Sequence, residues 1–118
     1  MTDITQGRVI DIVRDFGKPI SGVVAASRLL PTAAQRKHIC AHNFMTPAAW
    51  AYRSLAGGQL VVEVSYGTFM DNPLLGVSVY HTDAAKADRD FDVSRVVHSV
   101  EELRDLLTEL DATKEVVA

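Results

Sequence analysis

The spacing of the hydrophobic residues in this 118-residue chain changes at Gly57-Gly58. Ahead of this point, apolar side chains recur at the i, i+3, i+4 and i+7 positions of a helix, first at Val9, Ile12, Val13 and Phe16. Beyond it, they occupy every second position from Leu60 to Tyr66. Because an α-helix repeats every 3.6 residues and a β-strand every two, this change predicts a helical first half followed by a β-rich second half.

Turn and capping residues divide the first half into about four short helices. Gly17 and Pro31 end the first two helices, and a capping box that begins at Thr32 starts the third. The pair Thr46-Pro47 combines an N-cap residue with a proline at the first helical position. It therefore predicts a fourth helix that runs to Leu55.

Three strands are predicted in the second half. Two alternating segments flank the turn-rich sequence Met70–Pro73 and should form an antiparallel hairpin. Residues 91–98 read as a third strand. The charged stretch 82–92, which separates this strand from the hairpin, is expected to be a mobile loop.

A C-terminal helix is predicted after the third strand. Ser99 and Glu102 have the spacing of a capping box, and a helical stripe follows at Leu103, Leu106, Leu107 and Leu110. Such an apolar stripe would cover one face of the sheet. The predicted fold class is therefore α+β, in which a helical N-terminal half of about four short helices precedes a three-stranded antiparallel sheet covered by a C-terminal helix. The length fits one domain spanning 1–118.

The two halves differ in charge. Residues 1–56 carry a net charge of +4 and residues 57–118 a net charge of −7, for a total of −3. We therefore describe the first half as a basic helical lobe and the second as an acidic β-β-β-α part. Such asymmetry is typical of a protein with one end that faces a polyanion, although attraction between the two halves would explain it equally well.

Composition excludes several classes of protein. Cys40 is the single cysteine, which excludes an intramolecular disulfide framework and fits a reducing compartment. No apolar run approaches the roughly 20 residues that cross a bilayer, and the N-terminal sequence lacks the pattern of a secretory signal. We therefore expect a cytoplasmic protein with no membrane partner.

Residues 8–43 have the spacing of a helix-turn-helix. A short helix containing Ala25 and Ala26 would be joined by Leu30-Pro31-Thr32 to a second helix that begins with polar and cationic side chains. Glutamine and arginine can pair with adenine and guanine in the major groove, whereas lysine and arginine at the flanks contact phosphates. The predicted nucleic-acid-binding residues are Lys18, Arg28, Thr32, Gln35, Arg36, Lys37 and His38.

Residues 8–43 resemble the start of a winged-helix regulator. The segment RVIDIVRDFGKPISGVVAASRL is similar to the first two helices of that family, and TAAQRKHI to its recognition helix. The resemblance implies a wing hairpin directly after the recognition helix, where this sequence predicts a further helix to Leu55. It also implies a glycine in the turn, where this chain has Pro31. In the second half, the sequence from GTFMDNPLLGVSVY through FDVSRVVHSVEELRDLL resembles uncharacterised small proteins of actinobacteria and their phages. This resemblance implies an accessory or regulatory role and no particular activity.

No catalytic, cofactor or metal site is predicted. The chain lacks the GxSxG, GxxxxGK[ST], GxGxxG and HExxH motifs. His38 and His42 share a helical face, but two ligands fall short of the four that a structural zinc site uses. Glu63, Asp71 and Asp92 have no spacing that brings their carboxylates together.

Two functional hypotheses remain open. The first is a non-enzymatic regulatory protein that binds double-stranded DNA through the helix at 32–38. The alternative is an adaptor or inhibitor that binds a protein partner, or a second copy of itself, through the hairpin edge or the acidic loop.

Overall fold

The computed structural model describes residues 11–16, 18–20, 22–45, 50–69, 72–87 and 93–112. Its centre is an antiparallel sheet of five strands in the order β1-β2-β3-β4-β5. The strands are β1 (Pro19–Ile20), β2 (Trp50–Leu55), β3 (Leu60–Phe69), β4 (Asn72–His81) and β5 (Val93–Val97). The helices are α1 (described at 11–14), α2 (Gly22–Arg28), α3 (Ala33–Met45) and α4 (Val100–Ala112), with a 3-10 turn at Ala56–Gly58.

The α+β class agrees with the sequence analysis, but the prediction of a wholly helical first half and a three-stranded sheet is wrong. Residues 50–55 form a strand rather than the end of a helix, and each of them pairs with β3, from Trp50 opposite Ser65 to Leu55 opposite Leu60. The short strand β1 then pairs with Arg53 and Tyr52 of β2. Because this pairing depends on residues remote in sequence, local helix signals did not reveal it. The Thr46-Pro47 signal itself lies outside the described residues.

The predictions of the hairpin, the third strand and the C-terminal helix are confirmed. The hairpin is present as β3 and β4, and the third predicted strand as β5. The C-terminal helix is confirmed together with its cap: the backbone N–H of Glu102 donates to Ser99 Oγ at 3.0 Å, and Glu102 Oε2 accepts from the N–H of His98 at 3.1 Å. Within the predicted loop, residues 82–87 form bends and turns, and its other residues lie outside the described part.

Each face of the sheet has its own core. On the first face, α4 packs its buried leucines against the inward valines of β3 and β4, and Ile12 and Val13 of α1 join them. On the second face, α2 and α3 pack through Ala26, Leu30 and Ile39 against strand residues. The sheet is thus a middle layer with α4 on one side and the α2–α3 pair on the other.

The β2–β3 turn requires unusual backbone geometry. Gly57 and Gly58 have φ angles of 67° and 92°, and Ala56 has a φ of 54°. Such values strain an L-residue and suit glycine. This explains why the Gly57-Gly58 pair lies between two strands, where the sequence analysis had placed the boundary between helix and strand.

No helix within the described ranges combines the length and the apolar character that crossing a membrane requires.

Candidate nucleic-acid interface

The α2–α3 pair has the helix–turn–helix connectivity expected from the sequence. Residues 29–32 join the seven-residue α2 to the thirteen-residue α3. Thr32 caps α3, since its Oγ1 accepts a hydrogen bond from the N–H of Gln35 at 3.1 Å and its carbonyl accepts one from the N–H of Arg36 at 3.2 Å. The hydrogen bond from Gln35 to Thr32 Oγ1 satisfies one of the N–H groups that have no intrahelical partner at the start of a helix. The start of α3 is therefore well fixed.

One side of α3 is turned towards the sheet. Gln35 and Ile39 are fully buried, and His38 is half-buried, with its ring centroid 6.1 Å from that of Tyr80 on β4. Positions i, i+3 and i+4 share one face of a helix, so these three side chains point the same way. Gln35 and His38, which the sequence analysis assigned to base contacts, therefore lie against the protein's own sheet.

The opposite side of α3 carries cations. Arg36 and Lys37 are exposed, and so is Arg28 at the end of α2. Arg36 Nη1 donates to the carbonyl of Leu30 at 2.6 Å, which holds its guanidinium beside the α2–α3 turn. We call Arg28, Arg36 and Lys37 the basic surface.

No carboxylate in the described part of the chain pairs with the basic surface. An ion pair at 3.8 Å joins Arg14 and Asp11, which both belong to α1, and both side chains are largely exposed. The charges of Arg28, Arg36 and Lys37 are therefore available to an external anion.

The two remaining predicted contact residues have other positions. Thr32 is half-buried and serves as the α3 cap. Lys18 is exposed just before β1, where its carbonyl accepts a hydrogen bond from the N–H of Ser54 at 3.4 Å. It lies on a different element from the basic surface.

A buried carboxyl group lies on the same face of the sheet as α3. Glu63 on β3 is 1% exposed, and its Oε2 accepts a hydrogen bond from the hydroxyl of Tyr52 at 2.9 Å. Burial raises the pKa of Glu63 above its usual value of 4.5, while the Tyr52 hydrogen bond and the positive charge of His38 act in the opposite direction. The burial of Glu63 was not predicted from the sequence, because a glutamate in an alternating strand ordinarily faces solvent. Its only sequence signal is its place within the apolar run from Leu60 to Val64.

A second buried charge lies on the other face of the sheet. Arg53 on β2 is 1% exposed, and its Nη2 donates to the carbonyl of Arg14. It thus satisfies a carbonyl at the C-terminal end of α1, where a helix dipole favours a cation. Burial lowers the pKa of Arg53, and the charge of Asp15 opposes that effect.

Over most of its length the hairpin is interior to the sheet, because β2 pairs with β3 at 60–65 and β5 pairs with β4 at 75–79. In the described pairings, residues 66–69 and 72–74 have no third strand beside them. Glu63 and Ser65 lie in the interior part of β3, between β2 and β4.

Two apolar cavities flank β1. The larger, of about 430 Å³, is bordered by Val23, Val24 and Trp50, and the smaller, of about 240 Å³, by Val13 and Pro19. Both share Ile20, Ala51 and Tyr52 as walls. Neither cavity is lined by a cluster of ionisable side chains.

Among the described residues, no three histidine, cysteine, aspartate or glutamate side chains come close enough together to hold a metal ion. The side chains of Cys40 and His42 lie outside the described part, as do Asp71 and Asp92. The placement of the predicted His38–His42 pair is therefore not described.

No protein-family model, curated protein or solved structure matches this chain.

Proposed function

We propose that this protein binds double-stranded DNA through the basic surface, by holding phosphates rather than by reading bases. The observation that carries the proposal is the position of Arg36 and Lys37. Both are exposed on a helix whose other side faces the sheet with buried Gln35 and Ile39, and neither has a carboxylate partner in the described residues. Cations fixed on a rigid helix suit an array of phosphates.

The burial of Gln35 and His38 favours contacts to phosphate over contacts to bases. Glutamine is a side chain that can discriminate adenine, but a fully buried Gln35 cannot reach a base edge. Phosphate contacts position a protein on the duplex without specifying sequence. The proposed activity is therefore DNA binding with little sequence preference.

The order of the elements adds support to the proposal. The resemblance to winged-helix regulators implies a hairpin after the recognition helix, and the next described elements after α3 are the paired strands β2 and β3. The helix expected at 50–55, which departed from that family's order, is not formed. This hairpin lies within a sheet between β1 and β4, so it is not a separate wing.

The proposal is tested by fluorescence anisotropy with a labelled mixed-sequence duplex at about 50 mM salt. We expect the wild-type protein to bind, and the double variant Arg36→Ala/Lys37→Ala to bind on the order of a hundredfold more weakly, since each lost phosphate contact removes the release of about 0.9 counterions. Arg104→Ala is the matched control, because Arg104 is exposed on α4 at the opposite face of the sheet. It should bind within about twofold of wild type.

Two results would contradict the proposal. One is the absence of duplex binding by the wild-type protein at this salt concentration. The other is an equal loss of affinity in Arg104→Ala and in the double variant, which would indicate nonspecific charge attraction without a defined surface.

A further inference from the structure

The interface between α3 and the sheet buries polar side chains beside the apolar contacts of Ile39. Gln35 and His38 of α3 lie over a face that carries Tyr52 on β2, Glu63 on β3 and Tyr80 on β4. By contrast, α4 is held on the other face by the buried leucines Leu103, Leu106 and Leu107. The side chains that α3 turns towards the sheet therefore include polar groups, whereas the buried side chains of α4 are apolar.

Glu63 is the ionisable group at the centre of this polar interface. It lies opposite Tyr52 on one side and Ser78 on the other, on the middle strand of the sheet. A buried carboxyl group is tolerated when it is neutral, whereas a buried carboxylate requires a cation or several hydrogen-bond donors. The Tyr52 hydroxyl, at 2.9 Å, is one such donor.

Gln35 weakens the attachment of α3 further. Its side chain is fully buried, and neither Nε2 nor Oε1 has a hydrogen-bond partner among the described residues. A buried amide without hydrogen-bond partners destabilises the closed interface, because the same amide would form hydrogen bonds with water if it were exposed. Separation of α3 from the sheet would hydrate both Gln35 and Glu63.

We propose that protonation of the Glu63 carboxyl group controls the equilibrium between α3 packed on the sheet and α3 separated from it. Among the described residues, the titratable groups that act on this carboxyl group are His38 from α3 and Tyr52 from β2, and Tyr80 from β4 contacts the His38 ring. Burial of Glu63 favours its neutral form while α3 is closed, whereas hydration after opening favours the carboxylate. Opening of α3 therefore releases a proton and becomes more favourable as the pH rises.

The proposal extends to regulation of DNA binding. Arg36 and Lys37 are carried by α3, so opening of α3 removes them from their fixed positions. The affinity for duplex DNA should therefore fall as the pH rises. This second step depends on the function proposed above, whereas the pH-dependent opening of α3 does not.

Hydrogen–deuterium exchange of the full chain between about pH 5.5 and 8.5 tests the proposal. Exchange rates are corrected for the intrinsic effect of pH, so that only the opening equilibrium is compared. In the wild type, we expect the opening of α3 to increase with pH by up to about tenfold per pH unit, the limit for release of one proton. Peptides from α4 should show no such trend, and in Glu63→Gln the opening of α3 should be independent of pH.

A second variant covers the case in which Glu63→Gln does not fold. Tyr52→Phe removes a hydrogen bond that favours the ionised carboxylate, so its α3 should open more than wild type, by a larger factor at pH 8.5 than at pH 5.5. Opening of wild-type α3 that does not change with pH, or an unchanged pH trend in Glu63→Gln, would overturn the proposal.

Duplex binding measured by anisotropy in the same buffers separates the two proposals. If both are correct, affinity falls with pH in wild type and stays constant in Glu63→Gln. If α3 opens as expected but no duplex binds at any pH, the proposed function fails and the role of Glu63 stands.

Discussion

Gln35 occupies a position on α3 where an apolar side chain of similar length would be more stable. Its amide is buried without partners in the described residues, and an unsatisfied buried polar group costs about 1–3 kcal/mol. We expect Gln35→Met to raise the free energy of unfolding by roughly 1–2 kcal/mol, because methionine is apolar and adapts to irregular space. Urea denaturation measures the change.

Lys37→Met is the matched control for this substitution. It introduces the same side chain at an exposed position on the same helix, where the effect should stay within about 0.5 kcal/mol. If Gln35→Met instead lowers the stability of the protein, the amide of Gln35 must have hydrogen-bond partners, such as water, that compensate its burial.

Asp111 shows a connection between elements that are far apart in sequence. Its Oδ1 accepts a hydrogen bond from the backbone N–H of Ala56 at 2.9 Å, which ties the last turn of α4 to the β2–β3 turn. We expect Asp111→Ala to lower the free energy of unfolding by about 1–2 kcal/mol, because the buried N–H of Ala56 loses its partner. Asp105→Ala, at an exposed position on the same helix, should change it by less than about 0.5 kcal/mol. Equal effects of the two substitutions, measured by urea denaturation, would show that the bond does not contribute.

The elements that the sequence predicted correctly are those defined by neighbouring residues. The cap of α4 depends on Ser99 and Glu102, only three positions apart, and the alternation in β3 is visible along the strand itself. β2 has no such local definition, since it becomes a strand by pairing with β3 and β1. For the same reason the local helix signal at Thr46-Pro47 was extended too far.

The candidate site was predictable only in part. The exposed cations Arg36 and Lys37 follow directly from the sequence of α3. The inward position of Gln35 and His38 does not, because it depends on which side of α3 meets a sheet whose strand β2 was not foreseen. The burial of Glu63 was not predicted for a related reason: with helices on both faces of the sheet, alternation along β3 no longer separates buried from exposed positions.

At the scale of the whole molecule, the charge difference along the sequence becomes a charge difference across the sheet. The basic surface lies on the α2–α3 side, whereas the exposed positions of α4 on the opposite side include Glu101, Glu102, Asp105 and Glu109. An uneven distribution of this kind orients a protein as it approaches a polyanion. A net charge of −3 is therefore compatible with DNA binding by one side of the molecule.

The salt dependence of duplex affinity tests the central claim most directly. For the wild-type protein we predict that the logarithm of the association constant falls linearly with the logarithm of salt concentration between about 50 and 200 mM. In Arg36→Ala/Lys37→Ala the slope should be shallower by about 1.8, which is the loss of two phosphate contacts at about 0.9 each. A wild-type affinity that does not change with salt, or the same slope in both proteins, would contradict the account.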